Sequence, residues 1–235
     1  MKKQGNRDKT QSVVIRNERL TVWAGAIIFL IVIVELVVTA NLNQFLSLHI
    51  FVGVLLTGPI VVKMSSVGYR FFGYYTKNPD FVEKGPPIFW LRLSAPFLVI
   101  LTVLVFISGF GLVVVGPAHA GLFKVIHAGS VILWLPLLAI HIWGNFNKVK
   151  QSVTGDWRHT VKAQVQDRFR RFRLNTLGLL LGVMAALILY PSSTTWYHVR
   201  INHGLPGVLV AGIFAAVVAI VIAKPLLAKE SQKKM

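Results

Sequence analysis

No cysteine occurs anywhere in the 235 residues, and only 8 are acidic against 25 lysines and arginines. The first absence excludes iron–sulfur clusters, c-type haem attachment, disulfides and thiol catalysis within this chain. The second leaves a net charge of +17. Charge of either sign is scarce over long stretches: 14% of residues are charged and 54% are hydrophobic, with a mean hydropathy of +0.65. A soluble domain of this length rarely combines so apolar a mean with so basic a balance. The apolar residues come in blocks and the basic ones lie between blocks, the pattern of a polytopic membrane protein whose spans of about 20 residues each cross a hydrocarbon core. Nucleic acid is excluded as the reason for the charge, because the lysines and arginines are dispersed among loops that belong beside a membrane. No glycine-rich nucleotide loop follows a strand, so a flavin or nicotinamide reductase domain is not expected either.

Six apolar blocks predict six transmembrane helices, at about 21–40, 44–67, 91–115, 121–146, 174–190 and 204–227. The first follows a basic stretch with Lys2, Lys3, Arg7, Lys9, Arg16 and Arg19. It is too long for a signal-peptide core and reads as a retained helix. The expected class is an all-α integral membrane protein. Its parts are a basic N-terminus (1–20), a four-helix bundle (21–146), a basic linker (147–173), a C-terminal transmembrane hairpin (174–227) and a tail (228–235).

Flanking charge predicts orientation, since Lys and Arg accumulate on the cytoplasmic side. The N-terminus, the loop with Arg70, Lys77 and Lys84, the linker and the tail with Lys224, Lys229, Lys233 and Lys234 are basic. The turns at 41–43 and 116–120 carry no charge, and 191–203 carries only Arg200. Both termini are therefore expected in the cytoplasm, with the protein multi-pass in the cell's inner (plasma) membrane. In the basic loops, Asn78-Pro79 and Gly85-Pro86-Pro87 punctuate an ordered turn. Residues 155–173 read either as an amphipathic helix on headgroups, with Val161, Val165 and Phe169 on one side, or as a solvated linker.

The fourth block carries His127 and His141, fourteen positions apart, and the second carries His49 with Lys63 fourteen positions on. In an α-helix fourteen steps return to within about 40° of the start and rise about 21 Å. Both blocks run in the same direction, so His49 and His127 lie at one depth, in the expected outer half. A histidine in hydrocarbon is expensive unless paired or ligating, which makes these intramembrane groups functional candidates. The alternative for each is a structural histidine bonded to a carbonyl or a hydroxyl.

This layout resembles the four-helix core of the b-type cytochromes, in which the second and fourth helices each carry His-x13-His and two haems stack across the bilayer. The resemblance covers about 21–146, and the fourth helix matches in full with His127 and His141. Gly53, Gly109 and Gly111 resemble the small residues that let a macrocycle lie close to a backbone. The resemblance implies haem b held by His49 and His127, with a second haem at His141. It departs at Lys63, which stands where the family has a histidine. That lysine reads as a side chain snorkelling to the headgroups, as a partner of a haem propionate or as an iron ligand opposite His141. Iron with two imidazole ligands has no open position, so the expected chemistry is electron transfer rather than oxygen activation.

Glu35, at about the depth of His49, reads as a proton relay at a quinone pocket or as an acid bonded to a neighbouring helix. His119, His198, Arg200 and His203 fall in outer turns, as a docking surface, a second metal site or ordinary loop residues. Trp90, Trp143, Trp157, Trp196 and Tyr197 read as interfacial aromatics, and Trp134 and Pro136 as a packed ring and a kink. The function expected is electron transfer between the quinone pool and a separate redox partner, at the outer face, by a subunit of an oxidoreductase. The alternative from another class is a haem-free transporter or assembly scaffold with structural or proton-relaying histidines.

Overall fold

The computed structural model describes residues 2–85, 88–157, 168–197, 199 and 204–232. Among them the chain is α-helical with no strand: α1 (Lys2–Thr39), α2 (Leu42–Tyr75), the short α3 (Pro79–Lys84), α4 (Phe89–Val115), α5 (Gly121–Trp157), α6 (Arg168–Leu189) and α7 (Gly204–Gln232). Two 3-10 turns, Pro117–His119 and Tyr190–Trp196, complete the order. Six of the helices are long and apolar enough to cross a membrane, their spans running from 23 to 34 residues against the about 20 a bilayer needs. The chain is thus a multi-pass, all-α membrane protein. Large side chains such as Val114, Ile188 and Phe214 stand well exposed around the bundle, where lipid would cover them.

Helix ends follow local chemistry. α3 opens with Asn78, whose side chain accepts from the Asp80 amide at 3.1 Å, and with Pro79 at its first turn. It closes on Gly85 at φ 72°, and α4 closes on Gly116 at φ 68°, left-handed positions that favour glycine. Pro191 opens the second 3-10 turn, just after α6 has ended at Leu189. Helices extend past the apolar blocks. α1 begins within the basic N-terminus, α2 runs on to Tyr75, and α5 runs on to Trp157, so residues 147–157 are helix rather than linker.

Packing divides the bundle into two halves. α1 packs closely on α2, and α2 on α6; α4 packs closely on α5, and α5 on α7. Between the halves, α1 touches α5 and α2 touches α4 only lightly. The last two spans, α6 and α7, are consecutive and are seated on different partners, α2 and α5. The reason lies in small residues. A Cβ on Gly58 of α2 would run into the Gly178 carbonyl of α6, and one on Gly182 into the Leu55 carbonyl. Leu55 is the residue whose helical donor Pro59 removes, so its free oxygen meets the bare Gly182 backbone instead. Gly178 and Gly182 form a Gly-x3-Gly pair, a small-residue seam of the kind that lets membrane helices approach closely. On the other side a Cβ at Gly212 of α7 would meet Leu135 of α5.

At mid-depth the seam between the halves is filled by Ile28, Val32 and Leu56, with Ile60, Phe106, Trp134 and Leu138 against them. Trp134 donates its indole N–H to Thr102 at 2.9 Å, which fixes the ring between α4 and α5. Polar groups lie above and below this apolar layer. The end with the short α1–α2 and α4–α5 turns is called the turn end below, and the end carrying α3 the loop end.

Candidate functional site

On the turn-end side of the apolar layer, one side chain from each half meets across the seam. The rings of His49 on α2 and His127 on α5 lie with centroids 6.2 Å apart and planes at 80°. The depth match read from the sequence is therefore also a match of faces.

Each ring is anchored through the same nitrogen. The Glu35 carboxylate of α1 accepts from His49 Nδ1, and the Thr39 hydroxyl stands 3.3 Å from the same atom. Thr39 in turn donates to the Glu35 carbonyl at 2.7 Å, one helical turn back. His127 Nδ1 lies 3.0 Å from the Val105 carbonyl and 3.2 Å from Ser108 Oγ, both on α4. Ser108 is fully buried and donates to the Leu104 carbonyl at 2.5 Å. An acceptor on Nδ1 fixes the proton there, so Nε2 of both rings carries a lone pair, the tautomer that ligates metal. Helix α1 thus supports the α2 ligand candidate and α4 supports the α5 one.

The surroundings leave room. Gly53, one turn from His49 on the same helix, would place a Cβ with nothing within 4 Å. A Cβ on Gly109 would come 3.3 Å from His127 Cε1, so glycine there lets the ring lie against α4. Gly111 serves packing instead, with the Phe123 ring over its Cα.

On the loop-end side of the apolar layer the second pair is built differently. Lys63 of α2 turns into the bundle, its ammonium so close to Gly25 of α1 that a Cβ there would lie 3.1 Å from Nζ. It does not extend towards the helix end. His141 lies on α5 on the same side of the layer, one turn from Leu138. Its Nδ1 is buried with no hydrogen-bond partner. Lys63 makes no hydrogen bond or ion pair among the described residues.

Among the described residues no three His, Cys, Asp or Glu side chains converge as a metal cage. Two imidazoles alone are a poor zinc or calcium site but suffice for a metal that brings its other ligands with it. A metal bridging two imidazoles through bonds of about 2.0 Å, with half a ring on either side, needs centroids roughly 6 Å apart. The observed separation, the matched tautomers and the space beside Gly53 fit an iron porphyrin.

Comparison with protein-family models, with curated proteins and with solved structures gives no match. The functional reading rests on the geometry above.

The remaining sequence candidates do not join this layer. His119 is exposed in the first 3-10 turn. His198, Arg200 and His203 lie outside the described residues, as do Val161 and Val165, while Phe169 stands exposed at the start of α6. Trp90 and Trp143 are largely exposed near the loop end, Trp143 beneath Lys224, and Tyr197 is exposed near the other. Trp196 differs from the expectation of an interfacial ring: it is buried, under Lys124. Sequence reasoning missed Thr39, Val105 and Ser108. Thr39, a turn from Glu35, was legible from spacing, whereas a backbone carbonyl such as that of Val105 carries no side-chain signal. It also missed Glu18, whose carboxylate pairs with both Lys84 and Lys148 at the loop end.

Proposed function

We propose that the protein is a membrane electron-transfer subunit that holds one haem b between His49 and His127. The observation that carries this reading is the pair of imidazoles 6.2 Å apart, each anchored through Nδ1 by an acceptor on the neighbouring helix. Bound there, the group would supply a one-electron Fe(III)/Fe(II) couple, and with His49 and His127 both as its ligands it would carry electrons rather than oxygen. What the chain contributes is ligation, orientation and tuning. Glu35 and Thr39 hold His49, Val105 and Ser108 hold His127, and Gly53 leaves the space a flat macrocycle needs. The apolar layer from Ile28 to Leu138 keeps water from the far side.

Positive residues at the loop end support a cytoplasmic location for that end and for both termini, in a plasma membrane. The histidine layer then lies in the outer half, and electrons pass between the quinone pool and a partner protein at the outer face. The test is direct. Purified from haem-sufficient cells, the protein should be red, with a positive pyridine haemochrome and a reduced-minus-oxidised α band. His49→Ala and His127→Ala should each lose it. A colourless wild-type protein overturns the proposal and favours a haem-free transporter in which Glu35 and His49 relay protons.

A further inference from the structure

The two faces of α6 differ in chemistry. Arg171, Asn175, Gly178, Gly182 and Ala186 recur at helical spacing and are buried, on the side by which the helix packs on α2. Arg170, Arg173, Leu177, Leu180, Leu181 and Met184 stand exposed on the other side. Arg170 and Arg173 make no hydrogen bond or ion pair among the described residues. Together with Phe172, Leu177 and Leu180 they line an open groove of about 660 Å³ where the span begins at the loop end. We infer that this groove binds an anionic phospholipid, its phosphate held by the two guanidiniums and its acyl chains laid along the leucines.

This face presents charge and hydrocarbon in the order in which a phospholipid does. Arg170 and Arg173 are three positions apart, so their Cβ atoms are about 5–6 Å from each other and both forks can close on one phosphate. From Arg173 the exposed apolar residues continue to Met184, about 17 Å deeper, roughly one leaflet of a core about 30 Å thick. None of the residues lining the groove is acidic. A zwitterionic headgroup would bring an ammonium towards two unanswered guanidiniums, whereas a phosphodiester of an uncharged alcohol brings only the charge they attract. Phosphatidylglycerol is therefore favoured over phosphatidylcholine. A free phosphate would leave the leucines uncovered, and an extended acidic peptide would carry unpaired backbone into hydrocarbon. On the orientation that the basic loops support, the groove opens into the cytoplasmic leaflet, where anionic lipids attract basic segments. Among the described residues the groove is formed by α6 alone, and it owes nothing to haem.

The test uses the full chain in phosphatidylcholine nanodiscs, with Leu181→Cys as its sole thiol carrying a bimane fluorophore. Leu181 shares the exposed face without lining the groove. Quenching is compared for phosphatidylglycerol and phosphatidylcholine that each bear a nitroxide on an acyl chain, at equal mole fraction. The labelled parent should prefer phosphatidylglycerol by about tenfold, the order expected of two basic residues near a bilayer surface. Arg170→Gln combined with Arg173→Gln should bring the two lipids to within about twofold of each other. Lysine at both positions keeps the charge without the fork and should fall between. Lys224→Gln combined with Lys229→Gln removes the same charge from exposed sites on α7 and should leave the preference intact. Because both arginines are exposed, the unfolding temperature should not change in any of these variants. No preference in the parent overturns the inference. Equal loss in the α6 and α7 double variants also overturns it, assigning the effect to bulk charge. So does abolition of the preference by inorganic phosphate at constant ionic strength, which would make the guanidiniums a site for a soluble anion.

Discussion

The Glu35 carboxylate accepts from Nδ1 of His49, whereas the equivalent nitrogen of His127 meets only a carbonyl and a hydroxyl. The two proposed ligands are thus unequal. A carboxylate on Nδ1 pushes electron density through the ring and stabilises the more positive oxidation state of a metal on Nε2. Glu35→Gln should therefore raise the midpoint potential and weaken haem retention by about 10- to 100-fold. Thr39→Val, which keeps the carboxylate on Nδ1, should do far less. Potentiometric titration of the α band measures both. An unchanged potential in Glu35→Gln would remove the carboxylate from the tuning of the site.

Two glycines on one helix separate folding from cofactor binding. At Gly58 a Cβ would collide with the backbone of α6, which cannot swing aside as a side chain can. Gly58→Val should cost more than the about 1–3 kcal/mol typical of an overpacked core, seen as a lower unfolding temperature or failed membrane insertion. At Gly53 nothing lies within 4 Å of a Cβ. Gly53→Val should leave the haem-free protein as stable as the wild type and yet lose haem, because the macrocycle would occupy that space. Equal haem content in Gly53→Val and wild type would move the porphyrin elsewhere.

These contrasts show what the sequence could and could not display. Six spans were legible because hydrocarbon imposes a long apolar run on every crossing helix. Their ends were not, since α1, α2 and α5 continue as helices into polar sequence where hydropathy carries no signal. The depth of His49, His127 and Glu35 followed from counting residues along helices of known rise. That Glu35 faces His49 depends on the rotation of α1 about its axis, which packing against α2 decides. Where the last two helices dock is decided by packing in the same way. Consecutive spans are neighbours by default, but Gly178 and Gly182 fit the groove at Gly58, and that preference outweighs a short connection. Lys63 read naturally as a snorkelling side chain, and only the missing side chain at Gly25 shows why it can turn inward.

At the loop end, Glu18 binds Lys84 and Lys148 at once and so ties α1 to α3 and α5. Both lysines are about two-fifths exposed, at 40% and 41%, so water and salt weaken each pair. Glu18→Gln should cost about 1 kcal/mol at low ionic strength. The difference from wild type should shrink in about 1 M salt, where the screening length falls to about 3 Å. Thermal unfolding in detergent at two salt concentrations checks this, and a deficit that ignores salt would mean that Glu18 acts through packing rather than charge.

The absence of cysteine makes the proposed orientation open to a clean measurement, because any introduced thiol is the chain's sole one. Ala118 is exposed in the 3-10 turn at the turn end, and Glu83 is exposed on α3 at the loop end. With basic residues retained on the cytoplasmic side, Ala118→Cys should react in intact cells with a maleimide that does not cross membranes. Glu83→Cys should react only after permeabilisation. The distinction bears on function as well as topology. The His49–His127 layer lies near the turn end, so under the proposed function a partner protein would dock on the side where residue 118 is labelled. The reverse pattern would move the partner into the cytoplasm and the Lys63–His141 layer to the outer half, inverting the direction of electron flow for a given donor.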